Sequence, residues 1–312
     1  MNLQRLEVVE AILRHDLNVS RAAASLRQSQ PGVSKHLQLL EAELGFQIFQ
    51  RRGKRLIGLT EPGREVHRIA IRMLRDRDAM TAIGSNFRSA TSGNLTVATT
   101  HTQARYALPQ VVKMFRQEYP RVHLHLHQAT PAQAAEEVAS GLADLALASQ
   151  SLEKHDDLVV LPCYSWNRIV IAPLGHPILQ EESLSLAQIA EYPLITYAAS
   201  FTGHSQMTAA FAAQGLRPEI VLSAMDADII KTYVGLGLGV GLVASMAFDA
   251  NLDHHLGSVD VADLFPRSTT GVAIHRSAYL PDFAYSFIEK VAPHLTRSAV
   301  DEAVDAPFRV PS

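Results

Sequence analysis

The chain has 312 residues, 28 of them basic and 31 acidic, for a formal net charge of −3; it is 47% hydrophobic and 19% charged, which excludes disorder and leaves room for two or three cores. A single cysteine, Cys163, excludes an internal disulfide framework. Residues 1–90 hold 15 basic against 9 acidic residues and the remainder 13 against 22, so a basic end sits on an acidic body, the balance expected of one nucleic-acid-binding module.

Leu3, Leu6, Val9, Ile12 and Leu13 recur at helical spacing and predict a first helix. Arg5, Glu7, Glu10 and Arg14 interrupt that pattern, so it reads as neither signal peptide nor membrane anchor. The longest apolar run, ending near Ala247, is cut by glycine and is too short to span a bilayer, and a cytoplasmic location is expected. Ser20 to Leu44 predicts two short helices joined by a tight polar turn. Ser20 is the expected cap of the first, whose apolar face is Ala22, Ala23 and Leu26. Pro31 falls in the first turn of the second, where proline is tolerated, and Val33, Leu37, Leu40 and Leu44 form its buried face. Its other face shows Gln30, Ser34, Lys35 and Gln38, side chains suited to phosphates and base edges in a major groove. Gly45 ends the helix. Phe46, Ile48 and Phe49, then RRGKR, then Leu56, Ile57 and Leu59 predict a two-stranded wing with Arg51, Arg52, Lys54 and Arg55 at its tip, aimed at the phosphate backbone.

This stretch resembles the DNA-binding segment of LysR-type transcriptional regulators, whose motif is met by Ala22, Ala23, Leu26, Ser29, Gln30, Pro31, Val33 and Ser34, then by Leu40, Glu41, Leu44, Gly45, Phe49 and Arg51. The match is long and free of gaps. Ser29, Gln30, Pro31, Ser34, Lys35, Arg51, Arg52, Lys54 and Arg55 are the residues expected on DNA.

Pro62 and Gly63 open a long helix, expected to run to about Phe87, with Val66, Ile69, Met73, Met80, Ile83 and Phe87 on one seam. A second copy of the chain is the natural cover for that seam, and the resemblance implies dimerisation there. Ser89–Asn94 is a small polar linker. After it, strands and helices alternate: strands LTVATT, VHLHLHQ, ADLALAS, NRIVIA, PLITYA, EIVLSA, VGLVA and GVAIH, with helices at about 104–119, 132–140, 186–190, 204–214, 227–236 and 282–294. That order predicts an α/β body with parallel sheets. Its two lobes joined by two crossings resemble a periplasmic-binding-protein fold, which the family uses to sense small molecules. The chain therefore reads as an α/β multi-domain protein: a winged helix-turn-helix over 1–60, a linker helix over 61–88, and a two-lobed effector domain over 89–296. Lobe I is expected over about 89–163 and 267–296 and lobe II over about 164–266, and the tail 297–312 is expected to be mobile.

The densest polar cluster, Thr99–Gln103, lies where a strand ends and a helix begins, the place where open α/β sheets bind ligands. Thr102 is the expected helix cap, with Thr100 and Gln103 facing the cleft. The second lobe repeats the arrangement at Thr202 and Gly203, and Ser149 closes another strand. Neutral hydroxyls and amides, without lysine or arginine, suggest an oxyanion held by uncharged donors; the simpler reading makes each residue only a cap. TTHTQARYALP, LPCYSWNR, SFTGHS and DADIIKTYVGLGLGVGLVASMA resemble the CysB-like branch of the family, which governs sulfur assimilation and cysteine synthesis. The resemblance implies sulfate or an acetylserine-type effector as ligand, with Thr100, Thr102, Gln103, Trp166 and Thr202 on the anion and Ser149 standing for the branch's threonine. His204 replaces a usual arginine, which points to a looser site or another effector; the alternative reading is a regulator of the same family tuned to a sulfonate or another organic anion. Implied partners are promoter DNA, the effector, further copies of the chain as dimer or tetramer, and RNA polymerase, with no membrane.

Gly235–Gly241 follows a helix and precedes a strand, the reverse of a nucleotide loop. His123, His125 and His127 share one strand face, but no second ligand set completes a metal site. Cys163, beside Pro162 in an apolar run, reads as an inert thiol. No nucleophile, base and orienting group assemble, so neither enzyme chemistry nor a resident cofactor or metal is expected.

Overall fold

The computed structural model describes residues 2–53, 55–86, 92–149, 152, 155–181, 183–200 and 202–306, with the side chains at 75, 78, 79, 81–86 and 202 left outside that description. The N-terminal unit begins with α1 (Leu3–Arg14) and α2 (Val19–Ser25). The cap of α2 is Asn18, whose side chain accepts from the Arg21 amide, rather than Ser20: the helix starts one residue before the serine, leaving Ser20 inside its first turn. Arg27 adopts a positive φ of 54° in the turn that follows. α3 (Gln30–Leu44) is capped by Ser29 on the Gly32 amide and ends at Gly45, whose φ of 80° is the left-handed cap conformation that glycine adopts without a steric cost. The antiparallel strands β1 (Phe49–Arg52) and β2 (Arg55–Leu59) form the wing.

α4 (Glu61–Asn86) starts at a close approach of two backbones. A side chain at Gly63 would meet the Ile48 carbonyl oxygen at 2.0 Å, so only glycine fits. The expected seam of α4 divides. Val66 and Met73 pack, with buried Ala70 and Leu74, into the core of α1–α3 and β1–β2, whereas Ile69 and Met80 are 47% and 66% exposed. The reason is angular: at about 100° per residue Met73 lies within about 20° of Val66 around the helix, whereas Ile69 lies about 60° away, off the face that meets the core. The Ile83 side chain and Phe87 lie outside the described residues.

The second unit holds two five-stranded sheets. The first runs in the order β4-β3-β5-β12-β6 and the second β11-β7-β10-β8-β9. In chain order these are β3 (Ser92–Thr99), a π-helical turn (Gln103–Ala107), α5 (Leu108–Glu118), β4 (Arg121–Gln128), α6 (Pro131–Ala139), β5 (Leu145–Ser149) and β6 (Leu158–Trp166). The chain crosses at Asn167 into β7 (Arg168–Pro173), α7 (Leu186–Ala190), β8 (Leu194–Tyr197), α8 (Thr202–Ala213), β9 (Ile220–Ala224), α9 (Ala227–Gly235), β10 (Val240–Ala244) and β11 (Leu256–Asp260). It returns at 266–267 into β12 (Ser268–His275), α10 (Asp282–Val291) and α11 (Arg297–Asp305).

Neither sheet is purely parallel, contrary to the sequence expectation. β12 runs antiparallel to β5 and β6, and β7 antiparallel to β10 and β11. A strand that arrives by a short crossing has no helical connection to turn it parallel. The expected mobile tail is also corrected over 297–305. Thr296 caps α11, Val300 is fully buried, the Tyr285 hydroxyl donates to Asp301 at 2.5 Å, and Arg276 donates to the carbonyls of Val304 and Ala306 at 2.8 and 2.9 Å. Residues 307–312 lie outside the described residues.

Candidate functional site

In the N-terminal unit, the exposed face of α3 presents Gln30, Pro31, Lys35 and Gln38, with Ser34 half-buried beside them. Ser29 is engaged as the cap, its hydroxyl accepting from the Gly32 amide at 3.2 Å. Arg52 and Arg55 are exposed on the wing, and Lys54 lies outside the described residues. Arg51 departs from its expected place at the tip. It donates to the Glu41 carboxylate at 2.8 Å, and that buried carboxylate also accepts from the Ile48 amide at 2.9 Å. Arg51 thus ties the wing to α3. Behind them, His67 of α4 bonds Glu10 of α1 at 2.8 Å, Arg77 pairs with Glu7, and the His67 hydrogen bond holds the Glu10 carboxyl below its ordinary range.

In the second unit a cleft of about 460 Å³, including its mouth, lies between the two sheets' strand ends. Thr100, Thr102, Gln103, Pro131, Ser149, Trp166 and Ser268 line one side, and Tyr197, Gly203 and Ala244 the other. Six of the seven residues expected on the effector meet there; the seventh, Thr202, has its side chain outside the described residues. Thr102 makes no side-chain cap and instead hydrogen-bonds the Tyr197 hydroxyl across the cleft. Burial lifts that phenol, which stays neutral. The Thr100 carbonyl accepts from the Ala104 amide at 3.0 Å, closing the first turn of the helical segment, which continues as a π-helical stretch over 103–107.

Gln103 lines the cleft but is almost wholly buried, and its side chain is already engaged. Its amide donates to the Thr270 hydroxyl at 3.0 Å, and the Tyr164 hydroxyl donates to its carbonyl oxygen. The Trp166 indole donates to the same Thr270 oxygen at 3.1 Å. Thr270 and Tyr164 therefore orient two wall residues, and neither carried a local sequence signal. Tyr197, Ala244, Ser268 and Pro131 were likewise missed. Their common sign is position: all four end or open a strand or a helix. His204 does not line the cleft.

The largest omission is Arg168, the first residue of β7. It is 5% exposed, and its guanidinium donates to the carbonyls of Gly203 and Pro266, each at 3.3 Å, and to the Gln206 side chain at 3.1 Å. Nearby, Tyr106 of the π-helical turn donates to Asp228 of α9 at 2.7 Å, and Lys231 bridges Asp228 at 3.2 Å and Asp253 at 3.1 Å. Burial pushes the Asp228 carboxyl up, but hydrogen bonds from Tyr106 and Lys231 outweigh it and hold it below its ordinary value. His101, Asp226 and Asp228 place ligand atoms within 4.8 Å of one another, but Lys231 and Arg105 already neutralise Asp228 and Asp226 caps α9. Burial raises the Cys163 thiol to about 11, so it is not a reactive thiolate. Among the described residues no helix is long and apolar enough to cross a membrane.

Comparison with known proteins agrees across the whole chain. The profile of the "LysR substrate binding domain" matches residues 88–296, and that of the "Bacterial regulatory helix-turn-helix protein, lysR family" matches residues 3–64. The HTH-type transcriptional regulator SsuR of Burkholderia cenocepacia is 48% identical over 300 residues, covering 96% of this chain and 97% of the relative. The HTH-type transcriptional regulator CysB of the same organism is 43% identical over 304 residues, covering 97% of each. Among solved structures, the cofactor-binding domain of the Cbl transcriptional regulator is 40% identical with a TM-score of 0.66, covering 69% of this chain and 95% of that one. The chain is no enzyme: it belongs to the LysR family of DNA-binding transcriptional regulators, in the sulfur-related branch that contains CysB and Cbl.

Proposed function

We propose that this regulator controls genes of sulfur assimilation and cysteine synthesis, and that a small oxyanion, sulfate or an acetylserine-type analogue, occupies the cleft and sets its activity. One observation carries the reading: the hydroxyl-bearing residues Thr100, Thr102, Ser149 and Ser268 line one cleft together with Gly203 in the first turn of α8. Hydroxyls and helix-start amides satisfy an oxyanion by hydrogen bonds. Gln30, Ser34 and Lys35 read bases and nearby phosphates, and Arg52, Lys54 and Arg55 supply sequence-independent affinity. The exposed Ile69 and Met80 support a dimer through α4; assembly to a tetramer and contact with RNA polymerase follow the resemblance alone. A sulfonate as effector is the second reading: its oxygens suit the same hydroxyl-lined cleft as those of sulfate, and His204, where the branch carries arginine, lies outside the lining. Calorimetric titration of sulfate into wild type and Thr100→Ala tests the cleft. Thr100→Ala should weaken binding by about one to two decades, the effect of leaving one buried partner unpaired. Equal affinities would reduce Thr100 to a structural residue.

A further inference from the structure

Three features of Arg168 stand together. Its guanidinium is buried at the junction of the two crossings: Trp166 precedes one, Phe265 and Pro266 precede the other, and the guanidinium carbon lies 5.7 Å from the centroids of both rings. All its hydrogen-bond acceptors are neutral, two carbonyls and an amide, and among the described residues no carboxylate pairs with it. Gly203, which lines the cleft, is shaped around it: a side chain there would sit 3.0 Å from the guanidinium nitrogen. A buried charge without a counterion is costly, and arginine cannot discharge itself by losing its proton. Burial does lower its proton affinity, yet it stays charged at neutral pH.

We propose that Arg168 is the charge-selecting and positioning residue of the cleft: its guanidinium favours an anionic over a neutral occupant of the same shape, and it holds Gly203, which lines the cleft, against Pro266 at the return crossing. This rests on the reading of the cleft as an anion site. It adds a buried charge behind the lining of neutral donors that the sequence leads one to expect. The charge acts through the two residues it touches that line the cleft, Trp166 by its ring and Gly203 by its carbonyl. Because the same side chain grips Pro266 at the return crossing, a ligand that draws on Arg168 also loads the hinge between the lobes.

The test compares sulfate, methanesulfonate and neutral dimethyl sulfone, titrated calorimetrically into the full-length protein at constant ionic strength. Wild type should prefer both anions. Gln206→Glu, which places a carboxylate where the amide oxygen now lies 3.1 Å from the guanidinium, supplies an internal counterion without emptying the site. It should cut both anion affinities by about tenfold or more and leave dimethyl sulfone unchanged. Arg168→Gln should remove the anion preference and Arg168→Lys restore most of it. A purely structural role would weaken charged and neutral ligands alike. If Arg168→Gln does not fold, Gln206→Glu decides alone. Anions that bind wild type and bind the folded variants with the same preference overturn the role of Arg168 only. If no anion binds wild type, the anion reading of the cleft falls, and this proposal with it.

Discussion

Lobe II buries two cations, Arg168 and Lys231, and they are solved in opposite ways. Lys231, 8% exposed, sits between Asp228 and Asp253, and Tyr106 from the other lobe completes the cluster. Arg168, 5% exposed, has only carbonyls and an amide as acceptors among the described residues. A charge whose counterions are built in stabilises architecture. One whose counterion is missing beside a cleft lined with hydroxyls is arranged for something that comes and goes. The N-terminal unit repeats the contrast: Arg51 is neutralised by buried Glu41, whereas Arg52, one residue along, makes no ion pair among the described residues.

The largest effect should come from Lys231→Met, which leaves two facing carboxylates without their cation. It should destabilise the folded chain by about 3 kcal/mol in urea unfolding, the scale of a broken buried pair. Arg168→Gln strands no opposite charge and should cost less. The reverse order would break the comparison.

Next in size, Arg51→Ala should destabilise the N-terminal unit by about 1–2 kcal/mol, because a buried carboxylate loses a charged donor. Arg52→Ala should leave stability unchanged, weaken DNA binding on every sequence and lower the salt slope by about one phosphate contact. Gel shifts at several salt concentrations, with thermal melts alongside, separate the two. Equal behaviour would show that ion pairing does not distinguish them.

The smallest effect is acid lability at the α1–α4 junction. Glu10 is depressed in the folded state, chiefly by the His67 hydrogen bond, so its contribution is present above the ordinary carboxylate range and is lost as pH falls through it. Between about pH 5 and 3 wild type should lose about 1 kcal/mol or less relative to Glu10→Gln. Parallel stability curves for the two proteins would remove the pair from consideration.

Features set by local order were legible in the sequence. Ser29, Pro31 and Gly45 bracket α3 because capping, proline tolerance and a left-handed glycine each depend on residues within one turn. The alternation of strands and helices placed Thr100, Thr102, Ser149 and Gly203 at strand ends, and the cleft assembles there. Local order misled where the chain's path mattered: β12 returns antiparallel, α4 divides its seam, and the tail past Thr296 docks through Val300 and Arg276.

What only the tertiary structure decided is which polar groups are already satisfied. Gln103 and Thr270 bond across 167 residues, and Arg168 and Pro266 across 98. No periodicity or motif encodes such a pair, because the free energy of a buried polar group depends on its nearest neighbours in space and hardly at all on those in sequence. From sequence, Gln103 reads as an open donor and Arg168 as one residue of a strand. In the fold, Gln103 is already hydrogen-bonded, and Arg168 is a buried charge with no counterion among the described residues.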